Sequence, residues 1–326
     1  MIVCLGTTPV FQRTMVFDRV ATDRVNRAVQ VSDYASGKSI NVARVIHTLG
    51  RDVIATGFAG GSRGEALCRD LDRAGVPHDF VRVAPETRQC VTVIDRSAGT
   101  ATELVEESSS VGPEVWKTLE NKLTELLPKS KLWVFSGTLA PDAADDFYAR
   151  WLPLAQQHGA RVIVDVVGEP LRLAMAHRNA ILKMNRDELA ITIGQDLSDD
   201  SALVQAMLAH APLEGLLVVT LGAGGAIASD GRQCWRAASP KITPVSAVGS
   251  GDSFAAGLAV ALSEGREIAD TMKLAIACGA ANALTPLAGH VDRETVERLQ
   301  TQVVVIESEP RSSSPSPGGR GRPRIP

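Results

Sequence analysis

The stretch Ala247–Gly257, with the sequence AVGSGDSFAAG, decides how this chain is interpreted. Gly249 and Gly251 precede an alanine-rich run that predicts a helix, and Asp252 lies in the first turn of that helix. Glycines let backbone N–H groups point towards one place, and a helix N-terminus adds the positive end of its dipole. The segment therefore predicts an anion site beside a carboxylate that can accept a proton. A tight turn followed by a helix-capping aspartate is the alternative explanation, so the rest of the chain has to decide.

The residues after Lys131 predict the main body of the fold. Short apolar runs alternate with amphipathic stretches, as in KLWVF, RVIVD, AILKM and GLLVVTLG. This alternation is typical of βαβ units, which place helices on both faces of a parallel sheet. We therefore expect an α/β fold with a central, mainly parallel sheet.

The first third of the chain differs from the rest. Segments with strand-like alternation lie within about residues 11–34 and 89–106, and few helical stretches separate them. They predict a small separate sheet. Between them, the apolar spacing of Ser39–Leu49 predicts a helix of the main core that ends at Gly50 in a left-handed cap.

Composition excludes several classes of protein. The 326 residues are 44% hydrophobic and 22% charged, with a net charge of -3, which is ordinary for an enzyme and gives no reason to expect nucleic acid as a partner. The five cysteines form no C-x-x-C pair, and no apolar run is long enough to span a membrane. We expect a cytoplasmic protein with a domain over residues 1–304 and a disordered tail rich in Pro, Ser, Gly and Arg over 305–326.

Two segments at opposite ends of the chain carry a family resemblance. Ser36–Arg44, with the sequence SGKSINVAR, and Val248–Gly257 resemble the two signatures of the PfkB-type, or ribokinase-like, carbohydrate kinases. Within that family the chain is similar to the branch of 1-phosphofructokinase and tagatose-6-phosphate kinase. The resemblance implies a ribokinase-like fold with a small β-sheet lid, and the use of ATP and Mg²⁺.

The resemblance also implies roles for individual residues. It makes Asp252 the general base and Gly249, Ser250 and Gly251 the anion hole. The residues implied in nucleotide binding are Lys183, Asn185, Glu188, Thr220, Gly222, Gly225 and Asn282, with Glu188 organising magnesium through water. The residues implied in binding the acceptor sugar are Gln12, Arg27, Gly37, Lys38, Asn41, Arg88 and Ser136.

Elementary chemistry supports some of these roles and leaves others open. Asn185 and Glu188 lie three apart and can face the same side of a helix, but the same spacing fits a helix cap with a glutamate at its third position. Lys38 and Arg88 suit an acceptor that already carries a phosphate, because cations bind phosphate strongly. The pattern of a P-loop is missing around Gly37, Lys38 and Ser39, and no Rossmann pattern is satisfied.

The chain departs from the family's pattern mainly on the acceptor side. Gln12 stands where the family usually has an aspartate that holds sugar hydroxyls, Ser36 and Ser39 replace glycines, and Val105 replaces an asparagine. We expect phosphorylation of a sugar phosphate of the fructose 1-phosphate, fructose 6-phosphate or tagatose 6-phosphate type. A kinase for an unphosphorylated sugar or nucleoside, and a sensor that binds sugar phosphate without catalysis, are the alternatives. The resemblance also implies a homodimer through the lid sheet.

Overall fold

The structure, a computed structural model, describes residues 1–308. Fourteen strands lie in this part of the chain: β1 (Ile2–Gly6), β2 (Val10–Phe17), β3 (Gln30–Ser36), β4 (Val53–Gly60), β5 (Val81–Val83), β6 (Arg88–Asp95), β7 (Thr100–Val105), β8 (Leu132–Ser136), β9 (Arg161–Asp165), β10 (Ile181–Asn185), β11 (Leu216–Thr220), β12 (Ala226–Ser229), β13 (Cys234–Ala237) and β14 (Val305–Glu307).

Ten α-helices accompany the strands of the described residues: α1 (Lys38–Thr48), α2 (Gly61–Arg73), α3 (Pro113–Leu126), α4 (Phe147–Gln157), α5 (Glu169–Met175), α6 (Arg186–Ile193), α7 (Asp200–His210), α8 (Ser250–Ser263), α9 (Ile268–Ala283) and α10 (Arg293–Gln300). Among residues 1–308, no helix combines the length and apolar character needed to cross a membrane.

The main sheet has ten strands in the order β14-β13-β12-β11-β10-β9-β8-β1-β4-β5. Pairing is parallel from β11 to β5 and antiparallel from β11 to β14. The central strands β1 and β8 are buried at every residue, as expected for parallel strands that helices cover on both faces. Apolar clusters on the two sides of the sheet form the core. The predicted α/β fold with a mainly parallel sheet is confirmed.

A second sheet of four strands, in the order β3-β2-β6-β7, corresponds to the predicted lid. Buried and partly exposed residues alternate along β2, whereas β7 is exposed throughout. The predicted helix between the lid segments is also present, and Gly50 after it has a left-handed φ of 74°. The lid sheet is therefore a separate layer beside the main one, as the sequence predicted.

The end of the chain differs from the prediction at one boundary. Val305–Glu307 forms β14, which pairs with β13 at the edge of the main sheet, so the sheet extends beyond the predicted domain end at residue 304. An edge strand is held by backbone hydrogen bonds, and Ile306 remains 67% exposed, so composition gave little sign of it. The rest of the predicted disordered tail, residues 309–326, lies outside the described residues.

Candidate active site

Helix α8 begins at the glycine-rich turn that the sequence singled out. Gly249 precedes the helix with a left-handed φ of 80°, and a Cβ there would lie 2.7 Å from the Cα of Ala288. A side chain at this position would therefore be strained and would also clash. Asp252 lies in the first turn, at the positive end of the helix dipole, and is only 7% exposed.

A chain of side-chain hydrogen bonds fixes the carboxylate of Asp252. The Nδ2 of Asn41, on helix α1, donates to Asp252 Oδ2 at 2.7 Å, and Ser36 Oγ donates to Asn41 Oδ1 at 2.9 Å. All three residues are buried. The contact joins the two distant sequence signatures in one site and leaves Asp252 Oδ1 outside this chain of bonds.

A buried carboxylate, Asp165 at the end of β9, holds two lysines. Lys38 Nζ lies 3.0 Å from Asp165 Oδ1, and Lys183 Nζ lies 2.7 Å from Asp165 Oδ2. Burial alone would raise the pKa of Asp165, but the charges of Lys183 and Lys38 bring it below its usual range. The negative charge of Asp165 in turn raises the pKa of Lys38, so this lysine remains charged.

The same charges affect the pKa of Asp252. Burial raises the pKa of its carboxyl to about 6, the positive charge of Lys38 and the hydrogen bond from Asn41 oppose that rise, and the charge of Asp165 adds to it. A carboxyl with a pKa near 6 is mostly ionised at neutral pH and is a stronger base than an ordinary aspartate. It is therefore suited to accept a proton.

A cavity of about 250 Å³ opens on the Lys38 side of this cluster. Lys38, Arg88 and Ser136 line it, together with Ser39 and Thr138. The Oγ of Ser136 and the Nε of Arg88 are buried and have no hydrogen-bond partner among the described residues. Buried polar groups are normally paired, so these two atoms indicate a ligand. We call this the acceptor cavity.

A larger cavity of about 750 Å³ lies beside the first turns of α8 and the second half of α9. Its polar lining residues include Asn185, Thr220 and the Ser250–Gly251 turn, and its apolar lining residues include Phe254 and Ile276. Gly222 and Gly225, both with left-handed φ, form part of its wall. Polar groups beside a helix N-terminus and an apolar lining elsewhere suit the phosphates and the base of a nucleotide. We call this the nucleotide cavity.

Lys183 connects the two cavities. Gly251 lines the nucleotide cavity, and a Cβ on it would lie 3.1 Å from the Nζ of Lys183. Lys183 shares Asp165 with Lys38, which lines the acceptor cavity. Asp252 and the Lys38–Asp165–Lys183 cluster thus stand between the two binding spaces.

Asn185 and Glu188 form the helix cap that their spacing allowed. Asn185 Oδ1 accepts from the Glu188 backbone N–H at 2.8 Å, and Glu188 Oε2 accepts from the Asn185 backbone N–H at 2.7 Å. The Nδ2 of Asn185 and the second oxygen of Glu188 take no part in this pair. The helix-cap interpretation is therefore correct. It leaves one polar atom of each residue for a nucleotide or its metal.

The carboxylate oxygen of Glu188 that takes no part in the cap is a ligand type that magnesium binds in proteins. Among residues 1–308, no group of three or more His, Cys, Asp or Glu could hold a metal ion. Magnesium bound to a nucleotide typically keeps several waters and uses one or two carboxylates together with the phosphates. Glu188 offers one such carboxylate next to Asn185, which lines the nucleotide cavity.

Nine predicted site residues line neither cavity: Asn282, Gln12, Arg27, Gly37, Asn41, Lys183, Glu188, Gly249 and Asp252. Asn282 is fully buried, where its Nδ2 donates to the carbonyl of Val248 at 2.8 Å and its Oδ1 accepts from the Gly289 N–H at 2.8 Å. It therefore supports the turn that precedes α8. Gln12 is buried in the lid sheet and donates to Thr92 at 2.9 Å, and Arg27 is exposed between β2 and β3. Neither Gln12 nor Arg27 lines the acceptor cavity.

Sequence reasoning missed the role of Asp165 and the connection between the lid and the core. A carboxylate at the end of the buried strand RVIVD was a signal for Asp165, since ligands bind at the carboxyl ends of parallel strands. Tyr34 on β3 accepts a hydrogen bond from the Ala288 N–H at 3.1 Å, and Ala288 packs on Gly249. No sequence motif marked that contact.

Comparisons with known proteins identify a family and solved structures with the same fold. A family model described as pfkB family carbohydrate kinase matches residues 1–295. Phosphofructokinase-2 from Escherichia coli in complex with fructose-6-phosphate is 25% identical, with a TM-score of 0.84, over 92% of this chain and 98% of that chain. A Thermotoga maritima protein named "Possible 1-phosphofructokinase" is 22% identical and shares the fold, with a TM-score of 0.86 over 94% of this chain and 99% of that chain.

Proposed function

The chain belongs to the pfkB family of carbohydrate kinases, and on this premise we propose that it transfers the terminal phosphoryl group of ATP to a hydroxyl of a sugar phosphate. One observation carries the proposal. Asp252, a buried carboxyl with its pKa raised to about 6, stands between a cavity suited to a nucleotide and a smaller cavity lined by cations. A base at that position lies where an acceptor hydroxyl would meet the nucleotide.

In the proposed reaction, Asp252 accepts the proton of the acceptor hydroxyl. The hydroxyl oxygen forms a bond to the γ-phosphorus, the bond between that phosphorus and the β,γ-bridging oxygen breaks, and ADP leaves. Asn41 holds Asp252 in place during this step. A positioned base contributes about 10²- to 10⁴-fold in rate.

The surrounding charges stabilise the phosphoryl group in transit. Backbone N–H groups of the Gly249–Asp252 turn and the dipole of α8 favour negative charge there. Lys183 and Lys38 approach from opposite sides of Asp165 and add positive charge. Magnesium, when bound with the nucleotide, would neutralise phosphate charge, and Glu188 is the residue we propose to hold it through water.

The acceptor cavity favours a sugar that already carries a phosphate. Lys38 is neutralised largely by Asp165, whereas the guanidinium of Arg88 donates to the carbonyls of Thr8 at 3.1 Å and Glu106 at 3.3 Å and has no carboxylate partner among the described residues. Its full positive charge and its unpaired Nε suit a phosphate. The Escherichia coli relative in complex with fructose-6-phosphate supports this class of acceptor.

The lid sheet supports a further proposal, that two copies of the chain associate through it in a cytoplasmic homodimer. In the strand register, Met15, Val31, Val91 and Leu104 fall on one face of this sheet, and all four are partly or largely exposed. The Arg13–Asp33 ion pair lies on the same face, and exposed apolar residues around such a pair suit a second copy of the same sheet. A crystal structure of the Escherichia coli relative describes a tetrameric inhibited form of that protein. Light scattering of the wild type and of Leu104→Glu tests the proposal: a dimer that the variant loses is expected, and a wild-type monomer would contradict it.

The experiment that tests the proposed function measures ADP formation by the purified protein with magnesium and ATP. The acceptors are fructose 1-phosphate, fructose 6-phosphate, tagatose 6-phosphate and the corresponding unphosphorylated sugars. We expect turnover that depends on one of the sugar phosphates. Turnover with an unphosphorylated sugar alone would establish a neutral-sugar kinase, and binding of sugar phosphate without any turnover would establish a sensor.

A further inference from the structure

The acceptor cavity contains a carboxylate whose role is not explained by the proposed reaction. Of the described residues that line this cavity, Glu107 is the only acid. It follows strand β7 by two positions and makes no hydrogen bond or ion pair with any residue of the described chain. Glu107 is exposed at the mouth of a cavity that hydroxyls, two cations, Val105 and two glycines also line. Its carboxylate is therefore open to a ligand that enters the cavity and can accept hydrogen bonds from it.

The neighbouring acid has a different environment. Side chains alternate along an extended segment, so Val105 and Glu107 belong to one face and Glu106 to the other. Val105 lines the acceptor cavity together with Glu107. The carboxylate of Glu106 instead accepts from the Gln89 N–H at 2.9 Å and from Arg63 Nη1 at 2.6 Å. One acid therefore fastens the lid strands to each other and to α2, while the next one is free to contact the acceptor.

The charges around Glu107 limit what it can bind. A phosphate group would be repelled by Glu107 and attracted by Arg88, which lines the same cavity. Hydroxyl groups of a sugar are hydrogen-bond donors, and a carboxylate offers about four sites that accept such bonds. The hydroxyl of Thr8 in the same cavity already bonds to Thr138, at 3.0 Å from the Thr138 carbonyl.

We propose that Glu107 determines acceptor specificity by accepting hydrogen bonds from hydroxyls of the bound sugar phosphate, while Arg88 takes its phosphate. This inference rests on the proposed function and adds to it a residue that recognises the hydroxyl groups of the sugar. Because Glu107 follows strand β7 of the lid sheet by two positions, the contact also favours a closed lid when the correct sugar is present. An acceptor without hydroxyls at that position loses these bonds and is discriminated against.

The sign of the effect separates this proposal from a purely electrostatic role. Removing a negative charge near a bound sugar phosphate strengthens binding if charge alone matters. If Glu107 accepts hydrogen bonds, its removal weakens binding instead. Glu107→Ala removes every acceptor atom, whereas Glu107→Gln keeps one oxygen, so the proposal expects the alanine variant to be the weaker of the two.

The test compares wild type, Glu107→Ala, Glu107→Gln and the matched control Glu106→Gln. Calorimetry gives the Kd of fructose 1-phosphate, fructose 6-phosphate and tagatose 6-phosphate, and steady-state rates give kcat and KM for the acceptor that reacts. We expect Glu107→Ala to weaken acceptor binding by about 10- to 100-fold, the range for hydrogen bonds to a charged group, and to leave the KM for ATP unchanged. The control is expected to bind the acceptor as the wild type does.

Several outcomes would overturn the proposal: tighter or unchanged acceptor binding by Glu107→Ala, an equal loss in Glu106→Gln, or a wild type that binds none of the three sugar phosphates. The calorimetric result stands apart from turnover. If the wild type binds a sugar phosphate but never phosphorylates it, the proposed kinase activity fails, while a weakened Glu107→Ala still assigns Glu107 to hydroxyl recognition.

Discussion

The two cavities of the site are built in different ways. The nucleotide cavity is large, and much of its wall consists of glycine turns and small or apolar residues of α8 and α9. The acceptor cavity is one third of that volume, and charged side chains from α1, β6 and the segment after β7 line it. A site for a common cosubstrate depends mostly on backbone shape, whereas a site that selects one sugar depends on individual side chains from separate parts of the chain.

The charged cluster between the nucleotide cavity and the acceptor cavity contributes to both of them. Lys38, Asp165, Lys183 and Asp252 are linked by ion pairs and by their mutual effects on pKa. Substitutions in the cluster should therefore disturb both halves of the site, and substitutions in one cavity should disturb that half alone.

The largest effect is expected from Asp165→Asn. It leaves Lys38 and Lys183 without their shared carboxylate, and loss of one partner of a buried ion pair typically costs about 3–5 kcal/mol. We expect the free energy of unfolding to fall by about that amount and the KM values for ATP and for the acceptor both to rise. Urea denaturation and steady-state kinetics measure these quantities. Wild-type stability, or a change in only one of the two KM values, would contradict the shared role.

The second effect concerns the charge of Asp252 and the pH dependence of stability. Its pKa of about 6 in the folded protein lies above the usual value of 3.8, so ionisation destabilises the fold. This penalty is fully present above about pH 6 and disappears as the pH falls below about 4. Since one pKa unit corresponds to 1.36 kcal/mol, Asp252→Asn should be more stable than wild type by up to about 3 kcal/mol at pH 8.

Urea midpoints of both proteins at several pH values test this prediction. The advantage of Asp252→Asn is expected to shrink steadily between pH 6 and pH 4. A difference that does not depend on pH would show that the carboxyl has an ordinary pKa.

A third substitution addresses the nucleotide half. Ala283 lies at the end of α9, lines the nucleotide cavity and is 8% exposed. Ala283→Leu adds three heavy atoms to that space, and overpacking costs about 1–3 kcal/mol. We expect the KM for ATP to rise by about 10- to 100-fold while acceptor binding, measured by calorimetry, stays as in wild type. An equal loss for the acceptor would show that the two cavities are not separate.

The smallest effect is expected on the acceptor side. The Oγ of Ser136 is buried without a partner among the described residues, so Ser136→Ala should not destabilise the empty protein. A hydrogen bond to a neutral group contributes about 0.5–1.5 kcal/mol, so the KM for the acceptor should rise by about 2- to 10-fold. Thermal unfolding and acceptor kinetics check both parts. A lowered Tm with unchanged acceptor kinetics would assign Ser136 to the fold alone.

The sequence predicted the parts of the molecule that depend on local patterns. Apolar runs predicted the parallel sheet, and alternation predicted the lid strands. Gly50 predicted the end of α1 because glycine is the usual residue where a helix ends in a left-handed conformation. The glycine turn before Asp252 was identified for the same reason. Family membership followed from the two signatures, one near each end of the chain.

Long-range contacts limited what the sequence could show. Asp165 meets Lys38 across 127 positions of the chain, so no spacing pattern indicates their ion pair. Gln12 was predicted to contact the sugar. In the fold its side chain donates to Thr92 on another strand of the lid sheet, and no local sequence pattern shows that pairing. Asn282 was predicted to contact the nucleotide, and its buried hydrogen bonds to Val248 and Gly289 were visible only in the fold.

The most direct test of the account compares ADP formation by the wild type and by Asp252→Asn, both with saturating ATP and the sugar phosphate that the wild type accepts. Calorimetry on both proteins first shows that the two substrates still bind. The account predicts that the variant binds both and forms ADP at least about 10²-fold more slowly, as the loss of a general base requires. A variant that turns over at the wild-type rate would contradict the role of Asp252 as the base between the two cavities.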